Sequence, residues 1–140
     1  AALALAYHQQ NAEWGVIVPY KKQAQLIRRV LARQQQAPPR EHLRDWVATV
    51  DSFQGKERDV IIYGFTRSNP KGRVGFLAEL RRLNVSLTRA RRQLVTVGDS
   101  STLTRATHAP FAELMTAFIE TTQSLPGGYL HARQLRPRLE

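Results

Sequence analysis

The segment Val47–Ile62 (VATVDSFQGKERDVII) places a polar centre between two apolar runs that are typical of strands. Gly55 in that centre permits the backbone to come close to a ligand, because glycine has no Cβ. The hydroxyl groups of Thr49 and Ser52 can donate hydrogen bonds to phosphate oxygens. The segment therefore indicates a loop that meets a phosphorylated ligand where strands end.

A second segment, Leu80–Asp99, concentrates arginine on a predicted helix that leads directly into a strand. Its arginines are Arg81, Arg82, Arg89, Arg91 and Arg92. An arginine stays charged and binds phosphate through two parallel hydrogen bonds. A helix can aim such a group, as phosphoryl transfer requires, because catalysis of that reaction depends mainly on positioning and charge neutralisation. For each single arginine the alternative is an ordinary basic surface.

A third segment, Trp14–Gln23 (WGVIVPYKKQ), runs from a β-branched strand into Pro19, Tyr20 and two lysines. A rigid turn, an aromatic ring and two cations at the carboxyl end of a strand could hold a phosphate backbone or stack on a base. An ordinary strand-to-helix turn is the alternative interpretation. The other two segments favour the nucleic-acid interpretation.

The chain has no P-loop of the form G-x-x-x-x-G-K-[ST], although Gly55-Lys56 contains part of that pattern. The first glycine of the pattern would fall at Val50 and the hydroxyl residue at Glu57. No other stretch of the 140 residues fits the pattern either. A nucleoside triphosphate would therefore need another domain to hold its phosphates.

Strand-like and helical stretches alternate along the chain. The predicted strands are Gly15–Pro19, Trp46–Val50, Asp59–Thr66 and Leu94–Val97, and the predicted helices are 2–12, 20–36, Leu80–Arg91 and one that contains Phe111–Ile119. This alternation predicts an α/β fold with a parallel sheet covered by helices on both faces, and ligands gather at the carboxyl ends of such strands. We expect one domain over residues 1–125 and a loosely ordered basic tail over residues 126–140.

Charge identifies the expected partner. Lysine and arginine number 21 against 11 acidic residues, a net charge of +10, which favours nucleic acid over a solvated basic surface or an acidic membrane as the explanation. Cysteine is absent, which fits an intracellular protein, cytoplasmic or, in a eukaryote, nuclear. The four histidines are scattered, so no metal site is expected. No apolar run of membrane-spanning length occurs, so we expect no membrane partner.

Together, the order and spacing of WGVIVPYKKQ, VDSFQGKERDVII and RRLNVSLTRAR resemble motifs IV, V and VI of superfamily 1 helicases. The branch that they resemble is the up-frameshift type, superfamily 1B, and the resemblance covers Trp14–Asp99. It implies the C-terminal, second RecA-like domain of a DNA/RNA helicase, which has a P-loop NTPase fold without its own P-loop. In one departure, Val18 stands where relatives usually carry threonine, which removes a hydroxyl that could contact the strand.

The resemblance also implies roles for individual residues. Arg89 is similar to the arginine finger that reaches the γ-phosphate of ATP. Gly55 and Glu57 resemble motif V residues that approach the nucleotide, and Gln54 and Arg67 are further nucleotide-binding candidates. The residues that match the nucleic-acid side are Pro19, Tyr20, Thr49 and Ser52.

The implied partners are single-stranded DNA or RNA and the first RecA-like domain of the same polypeptide. That first domain would hold most of ATP and Mg²⁺, so this piece alone is expected to bind neither and to hydrolyse no ATP. The chain starts at Ala1 without a methionine, and we expect it to come from a longer protein. The alternatives are a free-standing helicase-like module that binds nucleic acid without ATPase activity, and a small basic RNA-binding protein of ribosomal type.

Overall fold

A computed structural model describes residues 1–53 and 56–139 of the chain. The chain divides into two compact units, each treated separately below. Unit 1 consists of Ala1–Thr66 and Glu79–Val97, and unit 2 consists of Arg67–Ala78 and the chain from Gly98 onward. No helix within the described residues is long and apolar enough to cross a membrane.

Unit 1 contains a four-stranded parallel sheet with the strand order β2-β1-β3-β4. Its elements, in chain order, are α1 (Ala2–Gln9), β1 (Trp14–Ile17), α2 (Lys21–Leu31), α3 (Leu43–Trp46), β2 (Val47–Ala48), α4 (Val50–Phe53), β3 (Arg58–Gly64), α5 (Leu80–Leu87) and β4 (Ala90–Val97). Parallel strands need a crossover between them, which explains why a helix follows each of the first three strands. The predicted α/β fold with a RecA-like parallel sheet is confirmed.

Apolar residues fill both faces of the two central strands. Every residue of β1 is buried, as expected for a strand of a parallel sheet that is covered on both sides. One face packs into a core with α1, α2 and α3, made by Ala4, Val16, Val18, Ala24, Leu31, Leu43, Val60 and Ile62. On the opposite face Gly15 lies against the ring of Phe53, at the end of α4. Helices therefore cover both faces, and they fix the positions of the loops at the two ends of the strands.

Several element boundaries differ from the sequence-based expectation, and two of them affect candidate residues. Helix α5 ends at Leu87 rather than Arg91, so the prediction that Arg89 lies on that helix was wrong and this residue belongs to the following turn. The prediction that Arg91 and Arg92 lie on the helix was also wrong. These two residues belong to β4, because the chain pairs with β3 from Ala90 onward. The strand predicted at Trp46–Val50 is also shorter, since only Val47–Ala48 pairs with β1. Tertiary pairing outweighed local propensity at both places.

Unit 2 contains a 3-10 turn at Gly75–Ala78 and the helices α6 (Ser100–Thr104), α7 (Ala109–Ser124) and α8 (Ala132–Leu139). The predicted helix at Phe111–Ile119 is confirmed, with Phe111 and Met115 buried. Asp99 caps α6 by accepting a hydrogen bond from the Ser101 backbone N–H, at 3.0 Å. Helix α8 lies within the basic tail, and the looseness of that tail and the domain boundary at residue 125 stay predictions.

Candidate functional site

The parallel sheet gives unit 1 two chemically different edges. The amino edge contains the residues at which strands begin, namely Glu13, Glu57, Arg58 and Arg89. The carboxyl edge contains residues that follow strand ends or contact them, namely Pro19, Tyr20, Thr49 and Ser52, with Tyr63 near the end of β3. The structure thus separates candidates that the sequence had placed in one group of loops. Glu57 and Arg89 lie at the edge opposite to the one where ligands were expected to gather.

Arg89 lies in the turn between α5 and β4, directly beside the start of β3. Its backbone carbonyl accepts a hydrogen bond from the Arg58 N–H at 3.2 Å, which joins the beginnings of β3 and β4. The half-buried side chain folds back on α5, where its Nε donates to the Val85 carbonyl at 3.0 Å. That carbonyl is in the last turn of the helix and has no partner within the helix, so the contact also caps α5. The guanidinium is therefore aimed by a rigid element.

Several basic residues near Arg89 are neutralised, whereas Arg89 is not. Arg82 pairs with Glu79 at 3.1 Å, and Lys56 pairs with Asp45 at 3.0 Å. Arg91 pairs with Asp59 at 2.9 Å and also with Glu13. Within the part of the chain that the structure describes, Arg89 has no ion-pair partner. Its positive charge therefore remains available to an anion from outside this unit, such as a phosphate group.

Glu57 immediately precedes β3, and its side chain is exposed. It makes no ion pair with any described residue, so its carboxylate could accept hydrogen bonds from a ribose or another hydroxyl-bearing ligand. The backbone carbonyl of Glu57 accepts a hydrogen bond from Arg58 Nη1 at 2.9 Å. Because Arg58 N–H binds the Arg89 carbonyl as well, one residue connects these two candidates.

Sequence reasoning missed Arg58, although it adjoins Glu57 in the motif. Its guanidinium lies 6.0 Å from the ring centre of Trp46 and 5.7 Å from that of Phe53. The side chain is only 19% exposed, and it pairs with Glu13 at 3.7 Å. The sequence signal was an arginine next to the polar centre of motif V, but only the fold shows which rings and carbonyls it reaches.

The carboxyl edge brings together the candidates for nucleic-acid binding. The Val18 N–H donates to the Ala48 carbonyl at 3.1 Å, so the turns after β1 and β2 leave the sheet side by side. Thr49 is buried, and its hydroxyl donates to the hydroxyl of exposed Ser52 at 3.3 Å. The pKa of Tyr63 is raised to about 12, mainly by burial and secondly by the neighbouring phenol of Tyr20. Hydroxyl groups and a tyrosine ring thus share one edge, the chemistry that a sugar–phosphate backbone and its bases require.

The structure assigns three further nucleotide-binding candidates to neither edge. Gln54 and Gly55 lie outside the described residues. Arg67 is the first residue of unit 2 and is half-buried. Their assignments to the nucleotide stay predictions.

Comparison with known proteins supplies a family for this arrangement. Residues 2–101 match the family described as AAA domain. The chain is 39% identical over 132 residues to the DNA-binding protein SMUBP-2 of Rattus norvegicus, an alignment that covers 87% of this chain and 12% of the rat protein. The chain belongs to the AAA domain family of superfamily 1 helicases.

The chain also resembles a relative that carries a helicase name. Over 91 residues, 65% of the chain, it is 47% identical to the DNA polymerase alpha-associated DNA helicase A of Saccharomyces cerevisiae, and it covers 13% of that protein. It is 44% identical over 91 residues, again 65% of the chain, to a regulator of nonsense transcripts 1 homolog of Arabidopsis thaliana, of which it covers 7%. The predicted family is thereby confirmed. The chain covers about an eighth or less of the length of each of these relatives.

Proposed function

We propose that this chain is the C-terminal motor domain of an ATP-dependent DNA or RNA helicase. In this proposal it supplies an arginine finger, Arg89, and part of the grip on a single strand. The observation that carries the proposal is the state of Arg89, whose guanidinium is held by the last turn of α5 and is not neutralised by any described carboxylate. Membership of the helicase family supports the same role.

The arrangement at the amino edge fits a bound nucleotide. A fixed cation at Arg89 and an exposed carboxylate at Glu57 begin adjacent strands, so one ligand could contact both through its phosphates and its ribose. The phosphates and Mg²⁺ would be held mainly by the first RecA-like domain, since this chain has no P-loop. In phosphoryl transfer an arginine finger stabilises the charge of the transition state, which can be worth roughly 10³–10⁵ in rate.

The carboxyl edge fits a single strand of nucleic acid. The hydroxyls of Thr49 and Ser52 and the ring of Tyr20 lie at this edge, away from Arg89 and Glu57. Closure of the two domains on ATP and reopening after hydrolysis would change the population of two conformations with different nucleotide affinity. If the two domains bind the nucleic-acid strand tightly in alternation as they close and reopen, the protein moves along that strand.

A second candidate function is a free-standing module that binds nucleic acid without hydrolysing ATP. The observation that favours it is that the 140 residues contain no P-loop. Such a module would use the carboxyl edge and leave Arg89 without a catalytic role, so substitution of Arg89 separates the two proposals.

The test compares Arg89→Ala with Arg92→Ala in the full-length protein. Arg92 is exposed, lies on β4 and has no ion pair within the described residues, which makes it a matched control. ATP turnover is measured with saturating single-stranded DNA or RNA, and strand affinity is measured by fluorescence anisotropy. We expect Arg89→Ala to lose at least about 10³-fold in turnover with little change in strand affinity, whereas Arg92→Ala keeps turnover within a small factor.

Near-normal turnover of the Arg89→Ala protein would refute the finger assignment. The 140-residue chain alone, at matched concentration, is expected to show no ATP turnover because it has no phosphate cradle. Turnover that is stimulated by nucleic acid in a clean preparation of this chain would refute the two-domain account.

A further inference from the structure

We infer that Arg58 is a positioning residue that holds Glu57 and Arg89 in one fixed arrangement at the amino edge. The inference rests on the proposed function, in which those two residues face the nucleotide. The inference adds a residue that is proposed to contact neither the nucleotide nor the nucleic acid and to act only through Glu57 and Arg89.

Arg58 contacts both candidates through different groups. Its side-chain Nη1 donates to the Glu57 carbonyl at 2.9 Å, and its backbone N–H donates to the Arg89 carbonyl at 3.2 Å. A displacement of Arg58 therefore changes the distance between the start of β3 and the turn before β4. No other described residue has hydrogen bonds to the backbone carbonyls of both Glu57 and Arg89.

The guanidinium is itself immobilised from several directions. It lies 6.0 Å from the ring centre of Trp46 and 5.7 Å from that of Phe53, while Nη2 donates to the Asp45 carbonyl at 3.3 Å and Nη1 pairs with Glu13 at 3.7 Å. These contacts come from α3, from α4 and from the turn before β1. The side chain thus contacts the polypeptide on both sides of residues 54–56 of motif V, at Phe53 before them and at Glu57 after them.

Only arginine can make this set of contacts. Its planar guanidinium stacks on aromatic faces and offers several in-plane N–H donors at once. A lysine at position 58 keeps the positive charge for Glu13, but its point-like ammonium cannot contact both rings and donate to the carbonyls of Glu57 and Asp45 at once. Arg58→Lys therefore removes the side-chain contacts that hold this segment while it preserves the charge and the backbone bond to Arg89, which is the distinction that the test needs.

Arg91→Lys is the matched control. Arg91 lies at the same edge and shares Glu13 with Arg58, but its ion pairs are to Glu13 and Asp59, not to the carbonyls of Glu57 or Arg89. Both substitutions exchange an arginine for a lysine beside Glu13. Only the change at position 58 removes the side-chain contacts to the Glu57 carbonyl and to the rings, while the backbone N–H of residue 58 still reaches the Arg89 carbonyl.

The experiment measures kcat and KM for ATP in the full-length protein with Arg58→Lys, Arg91→Lys or Arg89→Ala. Misplacement of a catalytic group by about 1 Å can cost on the order of 10²-fold in rate, so we expect Arg58→Lys to lower kcat by roughly 10- to 100-fold. We expect Arg91→Lys to stay within about twofold because its ion pairs are exposed, and nucleic-acid affinity to change little in either variant. Equal kcat values for the two lysine variants, with Arg89→Ala inactive, would overturn the role of Arg58 and leave the proposed function intact.

A second measurement does not depend on ATP turnover. Hydrogen exchange followed by mass spectrometry reports the amides of the peptides that contain Lys56–Asp59 and Thr88–Gln93. We expect faster exchange in both peptides with Arg58→Lys and in neither with Arg91→Lys. Unchanged exchange at Thr88–Gln93, or loss of the cooperative melting transition in Arg58→Lys, would contradict a positioning role. Normal turnover in Arg89→Ala would refute the proposed function instead, whatever the exchange data show.

Discussion

Substitution of Gly15 by alanine tests the packing that supports the amino edge. Gly15 lies in the middle of β1, and a Cβ at this position would lie 2.7 Å from Phe53 Cζ, 3.1 Å from Phe53 Cε2 and 3.2 Å from Arg58 Cγ. The first distance is shorter than real Cβ contacts, so the Phe53 ring must move. That ring is fully buried, so its movement displaces the residues that pack around it.

The expected cost follows from two opposing effects. Overpacking of a filled core typically costs about 1–3 kcal/mol. Replacing glycine by alanine inside a strand returns roughly 0.5–1 kcal/mol, because glycine loses more conformational entropy on folding. The two ranges leave a net cost of about 0–2.5 kcal/mol. Because the ring that must move is fully buried, we expect Gly15→Ala to lower the free energy of unfolding by about 1–2 kcal/mol.

Urea unfolding of the 140-residue chain, followed by tryptophan fluorescence, measures this difference. Trp14 precedes Gly15 and Trp46 contacts Arg58, so the signal reports this region directly. Gly64→Ala is the control, because its Cβ would meet only one methyl of Val18, at 3.1 Å. We expect the control to change stability by less than about 0.5 kcal/mol. A Gly15→Ala chain as stable as the Gly64→Ala chain would show that this packing does not hold Phe53.

Two predictions concern unit 2. Hydrogen bonds from Ser68, then Ser101 and Thr102, hold the pKa of Asp99 well below its usual range, so its stabilising contribution is complete above about pH 4–5 and is lost as the pH falls further. Melting temperatures of the Asp99→Asn and parent chains should therefore differ most near neutral pH and converge in acid; a constant difference would contradict this. Phe111 is fully buried, so Phe111→Ala should cost about 3–5 kcal/mol in urea unfolding, against less than about 1 kcal/mol for exposed Leu114→Ala.

The alternation of strands and helices was predictable because it depends on local pattern. The run Asp59–Thr66 corresponds to β3 within a residue or two, since its β-branched residues are buried on both faces of the sheet. The parallel topology followed from the helices between the strands. These features need no knowledge of distant contacts.

The boundary between α5 and β4 was not predictable in the same way. Nothing in the local sequence stops the helix at Leu87, because arginine and alanine both favour helices. The stop comes from the pairing of Ala90 with Arg58, a contact between residues that are distant in sequence. The moved boundary matters for the site, since it places Arg89 in a turn beside β3 rather than on the side of a helix.

The assignment of candidates to two edges also required the three-dimensional structure. Thr49 and Glu57 both belong to the polar centre of the segment Val47–Ile62, so the sequence presents them as one group. In the structure α4 returns the chain from the end of β2 to the start of β3, which places Thr49 and Glu57 at opposite ends of the sheet. Sequence spacing gives the order of these residues but not the direction in which the chain crosses the sheet.

Because the sheet joins the two edges, a nucleotide at the amino edge could affect the binding of nucleic acid at the carboxyl edge. Arg58–Gly64 spans seven residues, and at about 3.3 Å per residue the two edges lie roughly 20 Å apart along β3. The strand between them is buried and paired on both sides, so it transmits movement as a rigid body rather than by local rearrangement. In the proposed motor, motif V connects the two edges within one short segment, and the inferred role of Arg58 is to fix that segment at the amino edge. In the proposed motor, a nucleotide-driven displacement of Glu57 and Arg89 would therefore move Thr49 and Tyr20 with the whole sheet.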